Sequence, residues 1–323
     1  MPCYHPLTAY MSSWWQGDKL MKSISFKEDS DAERTLSLPC GRCVGCRLER
    51  SRQWAVRCMH EAQMHKANCF ITLTYNNMNC PEDYSLKYDD FQLFMKRLRS
   101  KFEYRNVYGF DEDGKRKLLN PIRFYMAGEY GESFDRPHFH ACIFGLDFED
   151  KKFFKRTSSG SNLYTSKILE ELWPFGYSTV GSLTFESAAY TARYIMKKAV
   201  KSDYSPDEWK WANIYTDLET GELIQRTPEF NKMSLKPGIG QSWIDKYMSD
   251  VYPHDHVVVG GKKCKPPRYY DNKYKEKFPE DFDMIQFARE IEGRSRAEDN
   301  TLERLAVKEK VALAKLSLLK RTI

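Results

Sequence analysis

Two short apolar runs joined by a turn, between Arg123 and Gly145, constrain the fold of this 323-residue chain more than any other stretch. The second run carries His138 and His140, and because side chains alternate faces along a strand, both imidazoles point to the same side. Gly, Ser, Asp and Pro residues between the runs predict a hairpin connection. Antiparallel pairing of the runs brings Glu129 near both histidines. Two imidazoles and one carboxylate, hereafter the metal triad, form a three-ligand divalent-metal site with open positions.

The setting of the His-x-His pair decides how it is interpreted. Such a pair is also found on ordinary strands that carry two surface histidines, and short matches of this kind have a high false-positive rate. Here the strand is apolar enough to be buried, a carboxylate lies on the expected partner strand, and a tyrosine-bearing helix follows. These three features together favour a metal site.

The tyrosine-bearing stretch, Phe185 to Val200, predicts an amphipathic helix. Tyr190 and Tyr194 are four residues apart, so they share one face of this helix, one turn apart. Each is followed three residues later by a basic side chain, Arg193 or Lys197. A pair of core tyrosines would show the same spacing. Beside a metal-polarised phosphate and a cation, however, a phenol with its usual pKa of about 10 becomes a nucleophile.

A cysteine cluster, Cys40, Cys43 and Cys46, has the spacing C-x2-C-x2-C. Structural zinc takes four such ligands in a tetrahedron. The candidates for a fourth ligand are Cys3, His5 and Cys58. The alternatives are a loop of free thiols before a helix and an iron–sulfur cluster, for which the partners are sparse.

Three motifs together resemble those of the HUH endonucleases, which start rolling-circle replication or conjugative transfer. They are RPHFH, which carries the histidines, YTARYIMK, which carries the tyrosines, and NCFITLTY, a core strand. The segments MPCYHP, PCGRCVGCR, GEYG and KPGIG are similar to replication initiators of gokushoviruses, single-stranded DNA phages of the microvirus family. The resemblance covers Met1 to about Asp250. It departs at Arg193, where lysine is more usual, and arginine keeps the charge but cannot give up a proton.

This resemblance implies a rolling-circle replication initiator that nicks and rejoins single-stranded DNA at an origin. The metal triad would hold Mg²⁺ or Mn²⁺, and Tyr190 or Tyr194 would form a covalent 5′-phosphotyrosine, leaving a 3′-OH for a host polymerase. Lys197 and Arg193 would neutralise the phosphate or the departing oxygen. The implied partners are origin DNA and the host helicase and polymerase, in the host bacterial cytoplasm.

Two other functions fit the sequence. One is a non-catalytic replication or packaging protein that binds single-stranded DNA through basic faces and aromatic side chains. The other is a structural protein organised by zinc. A covalent protein–DNA adduct separates both from the nuclease.

Composition sets broad limits on the function. The net charge of +6 and the pI near 8.7 permit an anionic partner. No run of eighteen apolar residues occurs, and the first residues lack the pattern of a secretory signal. Nine cysteines without such a signal favour reduced thiols over a disulfide framework.

The order of predicted elements from residue 68 to 200 is strand, helix, strand, strand, helix, strand, helix. It predicts an α+β class, a central antiparallel sheet with helices packed on it, and the resemblance implies an RNA-recognition-motif-like sheet. Three parts are expected: residues 1–65 with the cysteine cluster and a basic helix, residues 66–202 as the nuclease core, and residues 203–323 as a C-terminal extension ending in a helix. Outside the core motifs, residues 1–35 predict a strand and a loop, 147–162 a polar insertion, and 163–173 a short helix.

Overall fold

The computed structural model describes residues 3–28, 32–110, 113–131, 135–157, 160–197, 214–216 and 221–318, with the backbone alone described at 19–20 and 193–197. These residues form two compact units. The first holds the described residues up to Arg50 and from Asp283 onward, and the second holds those from Ser51 to Phe282. The three-part division expected from the sequence stays a prediction.

Short strands and helices alternate along the described chain. The strands are β1 (Leu7–Gln16), β2 (Lys19–Ser25), β3 (Arg34–Leu38), β4 (Asn68–Tyr75), β5 (Tyr108–Phe110), β6 (Arg116–Leu118), β7 (Arg123–Tyr130), β8 (Pro137–Phe144), β9 (Lys152–Arg156), β10 (Asn162–Thr165), β11 (Gly176–Gly181), β12 (Ile214–Thr216), β13 (Leu223–Gln225), β14 (Phe230–Met233), β15 (Val257–Val259) and β16 (Lys262–Cys264). The α-helices are α1 (Val44–Gln63), α2 (Tyr88–Lys101), α3 (Lys167–Leu172), α4 (Phe185–Lys197), α5 (Gln241–Val251), α6 (Arg268–Lys277), α7 (Pro279–Ser295) and α8 (Leu302–Leu318).

A seven-stranded sheet forms the centre of the second unit, in the order β14-β7-β8-β4-β11-β10-β9. Every neighbouring pair in it is antiparallel. Strands β7 and β8 are buried along almost their whole length, and β4 along most of it. Such strands are rich in apolar residues because both of their faces are covered over much of their length. The predicted α+β class with a central antiparallel sheet is confirmed.

Helices α2 and α3 cover one face of this sheet. Phe91 and Phe94 of α2 pack with Phe139 of β8 and Trp173, in a cluster whose members are all fully buried. The ring centroids of Phe91 and Phe139 lie 5.7 Å apart, a spacing typical of packed aromatic pairs. Helix α2 has two aspartates in its first turn and two basic residues in its last turn. Both placements are favourable for the helix dipole.

Among the described residues, α1 and α4 cover the opposite face only in part. Ala55 of α1 and Ala188 and Ala192 of α4 are fully buried against Phe70 of β4, and their small side chains let both helices lie close to the strands. Farther along the same face, side chains are only half-buried or exposed. We name this region the open half-face. Its residues are Thr72, Thr74, His138, Tyr177 and Thr179.

The first unit contains a three-stranded antiparallel sheet in the order β2-β1-β3. An ion pair and a hydrogen bond join its N-terminal residues to the C-terminal helices. Arg34 contacts both carboxylate oxygens of Glu290 at 3.2 Å, and His5 lies 2.7 Å from Glu309. The sequence predicted one strand and a loop for residues 1–35. The structure instead has β1, β2 and the start of β3 in this range, so the prediction underestimates the extent of the strands.

Two predictions near the sheet edge are wrong. Residues 147–162 were expected to be a polar insertion, but they contain β9, which pairs with β10 and extends the sheet. The sequence of β9, KFFKR, places its two phenylalanines side by side, so it lacks the alternation of apolar residues that identifies strands in a sequence. All five β9 side chains are exposed. The helix expected over residues 163–173 is shorter, because residues 162–165 belong to β10. Within the described ranges, no helix has both the length and the apolar character needed to cross a membrane.

Candidate metal centre

The β7–β8 hairpin brings the metal triad together through its register. Glu129 is paired directly with His138, and Ala127 with His140. Because directly paired residues of antiparallel strands project to the same face, Glu129 lies beside both imidazoles. The sequence-based expectation for these three residues therefore agrees with the geometry.

The three ligand atoms converge within hydrogen-bonding distance. The Nε2 atom of His138 lies 2.5 Å from Oε1 of Glu129, and Nε2 of His140 lies 3.0 Å from the same oxygen. Glu129 and His140 are buried, and His138 is half-buried. The centre thus lies at the margin of the open half-face, with one ligand accessible from it.

The second nitrogen of each ring is held by a neighbour that was not among the predicted site residues. His138 donates its Nδ1 proton to the backbone carbonyl of Arg136 (3.0 Å), and Nδ1 of His140 lies 2.9 Å from the hydroxyl of Thr72. A histidine ligand is commonly oriented by a hydrogen bond of this kind at its other nitrogen. Both Nε2 atoms therefore face Glu129. The alternation of side chains along β4 could have indicated Thr72 in the sequence. Thr72 pairs directly with His140, so the two side chains lie on the same face.

The protonation states suit metal ligands. Burial alone would raise the pKa of Glu129, but the attraction of His140 and the hydrogen bonds from both histidines outweigh it and lower the pKa to about 2. Burial lowers the pKa of His140, because a charged imidazolium is disfavoured away from water. Near neutral pH, Glu129 is therefore an anion and His140 a neutral imidazole.

One atom of the triad indicates a missing partner. The second carboxylate oxygen of Glu129, Oε2, is buried and makes no hydrogen bond with the described residues. Buried carboxylate oxygens are normally paired, since desolvation without a partner is costly. A divalent cation bound between this carboxylate and the two Nε2 atoms would supply that partner. The three residues can hold a metal ion, and their donor set fits it.

Helix α4 places Tyr190 against this centre. Its half-buried ring meets the ring of His140 edge to face, with centroids 5.1 Å apart. Two hydrogen bonds anchor the helix backbone: Ser51 donates to the carbonyl of Ala189 (3.0 Å), and Asn231 of β14 donates to that of Thr191 (3.2 Å). The side chains of the other three predicted catalytic residues lie outside the described part of the chain. These are Arg193, Tyr194 and Lys197.

The KPGIG segment, residues 236–240, has a structural role. Arg123 and Glu61 form an ion pair at 2.6 Å, and both side chains are almost completely buried. Arg123 donates to the carbonyl of Pro237, and Glu61 accepts from the amide of Gly240. Gly240 has a φ of +76°, and a Cβ there would lie 2.5 Å from the hydroxyl of Tyr270. The segment is thus tied to the strand that bears Glu129.

A second ligand cluster lies in the first unit. The sulfur atoms of the four cysteines at positions 3, 40, 43 and 46 all lie within 4.8 Å of one another. Two of their separations, Cys40 to Cys46 and Cys3 to Cys43, are 4.0 Å. Around one zinc ion with bonds of about 2.3 Å, the sulfur atoms of a tetrahedron would be about 3.8 Å apart. The four sulfurs therefore need only a small contraction to hold a metal ion.

Of the three candidates for the fourth cysteine-site ligand, the structure brings Cys3 to the cluster. His5 faces Glu309 instead, and Cys58 is buried in the core beside Cys142. Backbone amides surround the sulfurs: Tyr4 donates to Cys43 (3.3 Å) and Cys40 to Cys3 (3.2 Å). Burial raises the pKa of Cys43, but N–H donors, first that of Tyr4, outweigh it and lower the pKa to about 7. That shift favours the thiolate at Cys43, the form that binds metal, whereas burial raises the pKa of Cys3 and of Cys46.

Comparisons with known proteins identify relatives over most of the chain. Residues 68–199, the segment that carries the metal triad and the tyrosines, match the model of the family described as replication-associated protein ORF2/G2P. Replication-associated protein VP4 of Bdellovibrio phage phiMH2K is 33% identical over 286 residues, which cover 87% of this chain and 79% of that protein. Replication-associated protein ORF2 of Spiroplasma virus 4 is 32% identical over 271 residues, or 79% of this chain and 73% of that protein.

A third relative, replication-associated protein ORF4 of Chlamydia phage 1, is 29% identical over 248 residues, which cover 76% of this chain and 55% of that protein. A search of solved structures gave no significant match. The similarity to the first relative extends far beyond the motifs, and it confirms the resemblance to phage replication initiators. The chain belongs to the family of phage replication-associated proteins.

Proposed function

We propose that this protein initiates rolling-circle replication by nicking and rejoining single-stranded DNA at an origin, as an HUH endonuclease. The observation that carries the proposal is the convergence of a carboxylate, two imidazoles and a tyrosine ring in one place. A purely DNA-binding protein has no need to bury an ionised glutamate between two histidines, because that arrangement is costly to desolvate. The site would act in the host bacterial cytoplasm, with the host helicase and polymerase as partners.

In this proposal each part of the site has one task. The metal triad would hold Mg²⁺ or Mn²⁺, and the bound ion would polarise the scissile phosphate. Tyr190 or Tyr194 attacks phosphorus, the phenol loses its proton, and the phosphorus–O3′ bond breaks. The departing 3′ oxygen takes up a proton and becomes the primer end. Lys197 and Arg193 would stabilise the charge on the phosphate or on the departing oxygen.

The tyrosine ester conserves the energy of the broken bond. When a 3′-OH attacks the 5′-phosphotyrosine, a phosphodiester forms and the phenol is released, so that joining needs no ATP. A second tyrosine at the same centre allows the regenerated origin to be cut before the first linkage is resealed. This cycle explains why two nucleophiles would lie one helical turn apart on α4.

A nicking assay tests the proposal most directly. An end-labelled single-stranded oligonucleotide from the origin region of the source genome, incubated with the protein and Mn²⁺, should give a shortened 3′-OH product and a DNA–protein adduct stable in denaturant. A protein that binds the oligonucleotide but gives neither product would be a DNA-binding replication or packaging protein.

Replacing Thr72 with valine should weaken metal binding without changing the ligands. Valine has the same shape, but it cannot hydrogen-bond Nδ1 of His140, so the imidazole is less firmly oriented. Loss of such an orienting group typically costs about 10- to 100-fold in metal affinity. The Mn²⁺ concentration for half-maximal nicking should rise by about that factor, and saturating Mn²⁺ should restore the rate.

Thr74→Val is the matched control for this measurement. Thr74 lies on the same strand and face, but among the described residues its hydroxyl makes no hydrogen bond to either histidine. The Thr74→Val variant should leave the Mn²⁺ concentration for half-maximal nicking unchanged. Equal metal curves for Thr72→Val and the unmodified protein would exclude an orienting role for Thr72.

We also propose that Cys3, Cys40, Cys43 and Cys46 bind one structural zinc ion. Protein purified without added zinc should contain about one zinc per chain, and Cys43→Ala should lose it and unfold the first unit more readily. Structural zinc sites contribute about 10–16 kcal/mol of apparent binding free energy, which becomes folding free energy. Elemental analysis and thermal unfolding measure both effects.

Cys264→Ala serves as the control in the zinc experiment, because Cys264 lies in β16, outside the cluster. It should keep the zinc. An iron–sulfur cluster would instead give visible absorption and bound iron. Protein without metal, whose cluster thiols all react freely with an alkylating reagent in the native state, would leave only the loop of free thiols.

A further inference from the structure

The row of residues that contains His138 continues across the sheet on the open half-face. His138 pairs directly with Thr74 of β4, and Thr74 pairs directly with Tyr177 of β11. Directly paired residues share a face, so Tyr177 projects on the same side as the metal triad. With a spacing of about 4.8 Å between strands, its Cα lies about 10 Å from that of His138. A short run of nucleotides spans such a distance.

Tyr177 is a large aromatic side chain that the described residues leave exposed. It is 68% exposed, whereas Ser178 and Val180 on the other face of the same strand are buried. Among the described residues, no aromatic ring or cation stacks on it. The ring therefore projects from a strand that packing holds in place. A rigidly supported, unstacked aromatic ring is well suited to bind a planar partner, because little conformational entropy is lost.

A cation lies at the same end of the open half-face. The guanidinium of Arg136 donates to the backbone carbonyl of Tyr75 (2.9 Å) and to the side-chain oxygen of Asn77 (2.5 Å). Tyr75 pairs with Gly176, the residue before Tyr177. The backbone carbonyl of Arg136 also orients His138. These contacts use two of its five N–H donors and hold the guanidinium at the end of β4, the strand between β8, which bears His138, and β11, which bears Tyr177.

We propose that Tyr177 and Arg136 form a nucleotide subsite of the open half-face, beside the metal triad. The ring of Tyr177 stacks on an unpaired base, and the guanidinium of Arg136 pairs with the phosphate that connects this base to the reacting nucleotide. The subsite rests on the proposed function, since it holds the strand that the centre would cut. It favours single-stranded DNA, because a base within a duplex presents no free face for stacking.

Equilibrium binding to DNA without added Mg²⁺ or Mn²⁺, where no cleavage is expected, tests the subsite. Tyr177→Ala is compared with Tyr177→Phe, which keeps the aromatic face, using fluorescence anisotropy of a labelled oligothymidylate about twenty nucleotides long. Alanine substitution at a stacking residue weakens binding by roughly 5- to 150-fold. We expect a rise in Kd of about tenfold or more for Tyr177→Ala and almost none for Tyr177→Phe.

Tyr104→Ala is the matched control, because Tyr104 is 78% exposed in the same unit but follows α2, away from the open half-face. It should bind like the unmodified protein. A second probe of the same length with abasic residues keeps the phosphates and lacks the bases. On this probe the effect of Tyr177→Ala should disappear, which separates base stacking from contacts with phosphate.

Three results would overturn the subsite: unchanged affinity of Tyr177→Ala for oligothymidylate, an equal loss with the abasic probe, or an equal loss in Tyr104→Ala. The adduct assay with Mn²⁺ is a separate measurement and tests the proposed function. If the unmodified protein forms no adduct but Tyr177→Ala still weakens binding selectively, the nuclease proposal fails and the stacking role remains. If the adduct forms and Tyr177→Ala binds normally, only the subsite fails.

Discussion

Replacing both His138 and His140 with alanine is expected to abolish nicking of single-stranded DNA while the protein stays folded. The change removes two of the three ligands of the metal triad, and without a bound cation the charge on the scissile phosphate is not stabilised. A fall of roughly three orders of magnitude or more is expected, comparable with the loss of electrostatic stabilisation at other active sites. The fold should survive because the remaining apolar residues of β8 still alternate between the two covered faces.

The chain contains its own control for the histidine experiment. His254 and His256 have the same His-x-His spacing but are not among the residues that can hold a metal ion in the described structure. Their double alanine variant should nick DNA at the normal rate. Direct Mn²⁺ titration should show binding to this control and not to the His138/His140 variant, and circular dichroism should show both folded. If the His138/His140 variant still nicks in Mg²⁺, the metal assignment is wrong.

The central hairpin was predictable because its information is local. The alternation of apolar residues around His138 gives the face of each side chain, and the turn residues between the strands give their approximate register. Together these two local signals are enough to place Glu129 beside the histidines. The Tyr190 contact needs one further step, the packing of α4 on the sheet, which the apolar face of the helix favours but does not specify in detail.

Features that depend on distant parts of the chain were not predictable in the same way. Strand β14 pairs with β7 across a separation of about a hundred residues, and its four residues carry no distinct strand signal. The exposed edge strand β9 resembles a loop in sequence because its two phenylalanines are adjacent rather than alternating. Basic residues flank them, and charged side chains are a common protection of sheet edges. Cys3, His5 and Cys58 were equally acceptable as the fourth ligand, since spacing alone cannot show which residue returns to the loop.

Replacing both Tyr190 and Tyr194 with phenylalanine is expected to eliminate the covalent DNA adduct. Phenylalanine removes the attacking oxygen and keeps the ring, so the edge-to-face contact of residue 190 with His140 should persist. Metal binding and affinity for oligothymidylate should therefore be normal. The variant retains the centre without a nucleophile, and the adduct should fall below detection in a denaturing gel. Tyr104→Phe, at an exposed position away from the sheet face, should form the adduct normally.

The single variants should show how the two phenols share the reaction. Residues four apart on a helix have Cβ atoms about 5–6 Å apart, so either phenol can reach one metal-bound phosphate after a small rearrangement. Each single variant should retain some nicking of an oligonucleotide. In Tyr190→Phe, the remaining tyrosine, Tyr194, should be sufficient, because it is followed by Lys197. Release of a closed circle needs a second cut while the first linkage persists, so it should fail in either variant if the tyrosines alternate. Peptide mapping of the trapped adduct identifies the attacking residue, and a DNA-linked peptide that contains neither tyrosine would overturn this mechanism.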